Sequence, residues 1–156
     1  MKDIFTVASY IAGRYEREFG QPIDEMKLHK LLYFTQREAL IQTDSPIFPQ
    51  EFQGWRLGPV APGIRKPYQE GSFDKTVSDA DMEGFLPILD YVFKNYAPKD
   101  SWSLSRLSHG EACWKNSRKG IAPSESSSQV IPIEDIRLDA NRMRERRALL
   151  AQRDRL

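Results

Sequence analysis

Residues 25–41 read EMKLHKLLYFTQREALI, and this stretch decides the fold. Leu28, Leu31, Leu32, Thr35 and Ala39 recur at helical spacing, so they share a face that turns inward. Asp24 stands just before them, where a carboxylate accepts the unpaired N–H groups of a first turn. Lys27, Lys30 and Arg37 fall outside the apolar set, and the pattern assigns them to a solvated face. Upstream, Ile4, Val7, Ala8, Ile11, Tyr15 and Phe19 form a second stripe, which predicts a helix over 4–19. Gly20-Gln21-Pro22 stops it. Two helices so closely joined make an antiparallel αα-hairpin.

Downstream, Thr43-Asp44-Ser45-Pro46 is a loop, and 48–57 is irregular or briefly extended. Residues 58–63, GPVAPG, form a rigid bend, because two prolines fix φ. A short helix follows to Glu70, kinked or shortened by Pro67. Residues 79–96 are the strongest long core helix. Pro87 is tolerable there only if the hydrogen-bonded part starts near Leu86. Ser101 or Ser103 is placed to cap a helix carrying Leu104 and Leu107, and 109–118 is a second short helix or turn. Residues 120–129 are polar and serine-rich, a loop. Residues 130–133, VIPI, are a short edge strand whose partner is the piece around 52–57. A final helix runs from Glu134 to Leu156, with Ile136, Ala140, Met143, Arg147 and Leu150 on one side. The expected fold is mainly α: a compact helical domain with a short two-stranded β element and a basic C-terminal helix.

Composition agrees with one folded domain. The chain has 156 residues, 40% hydrophobic and 29% charged, enough apolar material for a core. No apolar run approaches the ~18 residues of a membrane helix. The N-terminal stretch reads as a structural helix rather than a signal peptide, and a cytoplasmic home is expected. Cys113 is the single cysteine, beside two histidines, so neither a disulfide nor a structural zinc site is expected. The net charge of +1 is unevenly spread. Seven arginines against three acids make 137–156 a tail of charge +4, which leaves −3 on the rest.

The sequence holds no phosphate-binding loop of the P-loop kind, no HExxH and no GxSxG. His109 and Cys113 stand four apart, so a Cys–His nucleophile is conceivable. A buried structural cysteine and a histidine that pins a turn are the plainer reading. Trp55 and Arg56 sit beside the rigid bend as candidate binding anchors, since both residue types are enriched in interface hot spots. The alternative is a packed tryptophan and a structurally bonded arginine. Lys27 and Lys30 are candidate rim charges. Arg144 and Arg147 represent the tail, for which nucleic acid, an acidic partner protein and water all stay open.

Three blocks taken together resemble one family. They are KLHKLLYF (27–34), GWRLGPVAP (54–62), and Leu107-Ser108-His109 with Trp114. Their order and spacing are similar to the Panacea domain, the SocA-like antitoxin domain of bacteria and phages. The resemblance covers roughly residues 3–136 and implies an antitoxin-like domain over 1–136, with 137–156 as an arginine-rich helix packed on that domain or extending from it. Leu28, Leu31, Leu32, Tyr33, Gly58, Pro59, His109 and Trp114 carry the structural part of the motif. What the resemblance implies is an antitoxin that neutralises a cognate toxin by direct binding, without catalysis, cofactor or metal. Operator DNA and a protease receiving the toxin are alternative partners, and self-association is open. The sequence departs from the pattern at His29, where relatives commonly carry glutamine, at Pro67, and in the arginine tail.

Overall fold

The computed structural model describes residues 1–155; Leu156, the end of the expected final helix, lies outside the described residues. Helix α1 spans Ile4–Phe19, as the apolar stripe requires. The Asp3 carboxylate accepts from the Phe5 N–H at 2.7 Å, and Gly20 closes the helix at φ 74°. Helix α2 spans Glu25–Thr43 and begins on Asp24, whose carboxylate accepts from the Lys27 N–H at 2.8 Å.

Helix α2 is the hub, and this overturns the expected solvated face. Every residue from Lys27 to Ile41 is buried, because elements from both halves of the chain cover all its sides. Lys27, Lys30 and Arg37 are 6%, 1% and 4% exposed. Burial of polar groups demands partners, and most come from afar. Lys27 Nζ donates to the Tyr15 hydroxyl and the Ala97 carbonyl. Gln36 bonds the backbone at Ile47 and Phe48. Arg37 holds Glu111 and the Tyr96 hydroxyl.

Strands β1 (Phe52–Trp55) and β2 (Gly58–Val60) form an antiparallel hairpin, with Gln53 opposite Val60 and Trp55 opposite Gly58. Strand β3 (Val130–Ile131) pairs with β1 on its other side, Ile131 opposite Phe52. The expected pairing of 130–133 with 52–57 is present, but the sheet has three strands in the order β2-β1-β3. The added strand lies where a bend was expected. Pro59 occupies an edge position, where its missing donor is tolerated.

Helix α3 (Pro62–Glu70) retains Pro67, ends three residues later at Glu70 and is closed by Gly71 at φ 64°. Helix α4 runs Leu86–Asn95, shorter than the expected 79–96. Pro87 lies in its first turn, where no intrahelical donor is needed, and a 3-10 turn at Ala80–Met82 precedes it. Helix α5 (Ser101–His109) is capped by Asp100 rather than by either serine; its carboxylate accepts from the Ser103 N–H at 2.9 Å. Helix α6 is Ala112–Ser117 and α7 is Ile133–Asp154.

Helix α7 packs against α2. Ile136 and Ala140 are buried, and three arginines clasp the end of α2. Arg137 bonds the Asp44 carboxylate at 2.6 Å. Arg144 donates to the carbonyl of Ile41, which the helix end leaves open, and to that of Leu40, which also accepts from the Asp44 N–H. Arg147 grips Glu38 with two bonds of 2.9 and 2.8 Å while lying over the Tyr91 ring. Residues 148–155 are exposed.

Candidate functional site: the hairpin and its groove

The three sequence blocks meet around the β1–β2 hairpin. From α2, Lys30 Nζ donates to the Pro59 carbonyl at 3.0 Å, and His29 Nδ1 accepts from the Ala61 N–H at 3.2 Å. From α5, Ser105 Oγ donates to the Leu57 carbonyl at 2.7 Å. From α6, Trp114 Nε1 donates to the Trp55 carbonyl at 2.8 Å, and Arg118 just beyond reaches the Gly54 carbonyl. The His109 ring stacks on Trp114 with centroids 4.2 Å apart. Four carbonyls of the hairpin, those of Gly54, Trp55, Leu57 and Pro59, are thus held by side chains from other elements, which fixes its shape. Gly58 sits at φ 121° against Lys30 and Ser108, a close approach that a side chain would block.

Because His29 Nδ1 accepts a backbone proton, Nε2 carries the ring proton and donates to Glu25 Oε2 at 3.1 Å. Burial holds His29 neutral, with its pKa down at about 4. Burial also lowers Lys30 to about 8. The histidine has a consequence for stability. Its folded pKa lies below its unfolded value of about 6.5, so the unfolded chain binds the proton more readily. The stability present above pH 6.5 is therefore lost as pH falls toward 4, by about 3 kcal/mol over the full window. Urea titrations at pH 7 and 5 should show most of this drop. A His29→Asn variant should be flatter between those pH values; an equal drop in both would exclude His29 as the source.

Beside the hairpin lies a groove of ≈ 310 Å³ whose walls include Lys30, Trp55, Arg56, Leu57, Val60 and Arg65. Trp55 is half-buried and Arg56 is exposed. Arg65 lies 5.1 Å over the Trp55 ring, and its Nε bonds Glu25 at 3.2 Å. Ser126 and Ser127, from the polar loop, close one side.

Of the binding candidates, the structure brings Lys30, Trp55 and Arg56 together at this groove. Lys27 is not a rim charge: it is buried under Tyr15 and Ala97. Arg144 and Arg147 lie apart, spent on the α2 clasp. No hydrogen bond joins His109 to Cys113 among the described residues. The thiol is buried against the Tyr33 hydroxyl at 3.1 Å, and burial pushes its pKa far up, opposite to what a nucleophile needs. His109 Nε2 is buried without a partner. No group of three or more metal-ligating side chains occurs among the described residues, and none of their helices is long and apolar enough to cross a membrane.

Sequence reasoning missed Arg65, Glu25, Ser105, Ser108 and Asp139. Asp139 on α7 accepts from the N–H groups of Ala112 and Cys113, so it caps α6 from a distance. Glu25 reaches His29 at i,i+4 spacing and Ser108 lies within a quoted block, but Arg65, Ser105 and Asp139 act on elements remote in the chain and leave no sequence signal.

The class the fold defines is a helical domain that braces one β-hairpin by buried side chains. A model of the family "Antitoxin SocA-like, Panacea domain" matches residues 28–115, more than half of the chain, and the chain belongs to that family. The match contains the first block from Leu28 onward, the whole GWRLGPVAP block, and both His109 and Trp114. No curated protein and no solved structure matched. Family membership supports an antitoxin role in general terms, and with it a toxin partner.

Proposed function

We propose that this protein neutralises a cognate toxin by stoichiometric binding in the cytoplasm, through the β1–β2 hairpin and the groove beside it. The observation that carries the reading is the convergence of all three family blocks on that hairpin, which leaves Trp55 and Arg56 outward at a rigid tip. A positioned aromatic beside a guanidinium pairs two residue types enriched at binding hot spots. Catalysis is not part of the reading, because the sole Cys–His pair is unassembled and its thiol is held protonated.

The test is co-expression with the neighbouring reading frame. That product alone should arrest growth, and this chain should restore it. Trp55→Ala or Arg56→Ala should weaken the isolated complex by about 2 kcal/mol, roughly 30-fold in Kd. A neighbour that is harmless alone, or still toxic in the presence of this chain, sinks the reading.

A second reading is regulation of its own operon through DNA. It is favoured by Arg142, Arg146 and Arg153, which are exposed along α7. Upstream DNA should then bind with a steep salt dependence that is lost when these three become glutamine.

A further inference from the structure

We infer that the groove is an anion-accepting subsite, where Lys30, Arg56 and Arg65 seat a carboxylate from an acidic segment of the partner protein. The inference rests on the binding reading above and names the chemistry of the contact.

Lys30 carries it. An ammonium has three N–H donors, and here the Pro59 carbonyl takes one. No second acceptor for it occurs among the described residues, although the side chain is 1% exposed and lines the groove. Buried charges are normally paired, so this one is set where an incoming anion would complete it. The surrounding groups agree. The Arg56 side chain makes no hydrogen bond or ion pair among the described residues, and Arg65 commits only its Nε, to Glu25, leaving its two terminal nitrogens for a fork on a carboxylate. Glu25 is the one acid in the wall, and it is already shared by His29 and Arg65.

A protein carboxylate fits better than a nucleic acid. Outside the tail the chain carries a net charge of −3, which repels a polyanion while leaving a local basic pocket effective. Leu57 and Val60 add apolar wall, suited to the neighbours of an acidic residue in a peptide.

The test uses the full chain and a blocked peptide of alternating glutamate and leucine. Inorganic phosphate and a short single-stranded DNA serve as the other probes. Calorimetry and the Trp55 indole N–H resonance report binding. The peptide should bind and move the Trp55 resonance, while phosphate and DNA leave it in place. Arg56→Glu with Arg65→Glu, both on accessible side chains, should weaken the peptide at least 30-fold. Lys30→Met removes the buried charge at similar volume; it should melt no lower than the parent and still lose at least tenfold. No peptide binding by the parent, equal binding by the variants, or a Trp55 shift driven by DNA instead would overturn the subsite. Growth rescue separates the two proposals. If the parent and the double-glutamate variant rescue equally, the subsite fails and the antitoxin reading stands. If the parent cannot rescue but loses the peptide with the same variants, the subsite stands and its acidic ligand belongs to a different partner.

Discussion

Glu111→Ala is expected to lower stability by about 3–5 kcal/mol, the range for removing one partner of a buried ion pair. Glu111 Oε1 receives both the Arg37 guanidinium and the Tyr33 hydroxyl. Arg37 is 4% exposed, and its Nε has no partner already. Without Glu111, a guanidinium would remain in the interior with the Tyr96 hydroxyl as its one acceptor. Urea unfolding at unchanged slope would measure the loss. Glu111→Gln keeps an acceptor and should lose less. Adding Arg37→Met to Glu111→Ala should recover much of the deficit, because the orphaned charge, and not the missing contact, is the larger cost. A loss below about 1 kcal/mol would show that water reaches Arg37.

Gly58→Ala is expected to cost about 3 kcal/mol, from two separable causes. At φ 121° an L side chain is strained. The new methyl would also stand 2.4 Å from Ser108 Oγ and 2.6 Å from Lys30 Cε, both in buried residues. Placing the same substitution in a Ser108→Ala background should return part of the contact cost and none of the backbone strain. Gly63→Ala is the matched control, since nothing lies within 4 Å and the position is helical. It should be neutral or slightly stabilising. Equal thermal shifts for the two glycine variants would refute the close-approach argument.

The helices were legible wherever a stripe of apolar residues ended on a cap. Both ends of α1 and the Asp24 start of α2 follow from local chemistry that a sequence displays. The membership of the family was legible too, from blocks whose order is specific. Periodicity misled where it equates polar with exposed. Lys30 and Arg37 are polar positions on a helix surrounded on all sides, and what reconciles them with burial is Pro59 and Glu111, 29 and 74 residues away. Strand β2 was hidden because Gly58 and Pro59 are weak strand formers; only pairing with β1 makes them one. The site was half visible: Trp55 and Arg56 by residue type, but Arg65 not at all, since its place over the indole is a tertiary fact.

The capping of α6 by Asp139 bears on how this protein can be cut. The family match ends at residue 115, yet the carboxylate that starts α6 is supplied from α7. Helix α6 in turn holds the Trp55 carbonyl through Trp114. The matched segment also begins inside α2, beyond all of α1, whose Tyr10 and Ile11 are fully buried. A fragment trimmed to the recognisable stretch would therefore lose two walls of its core and the far anchor of its hairpin. Inheritance and cooperativity draw different borders on this chain, and a transplantable module must follow the second.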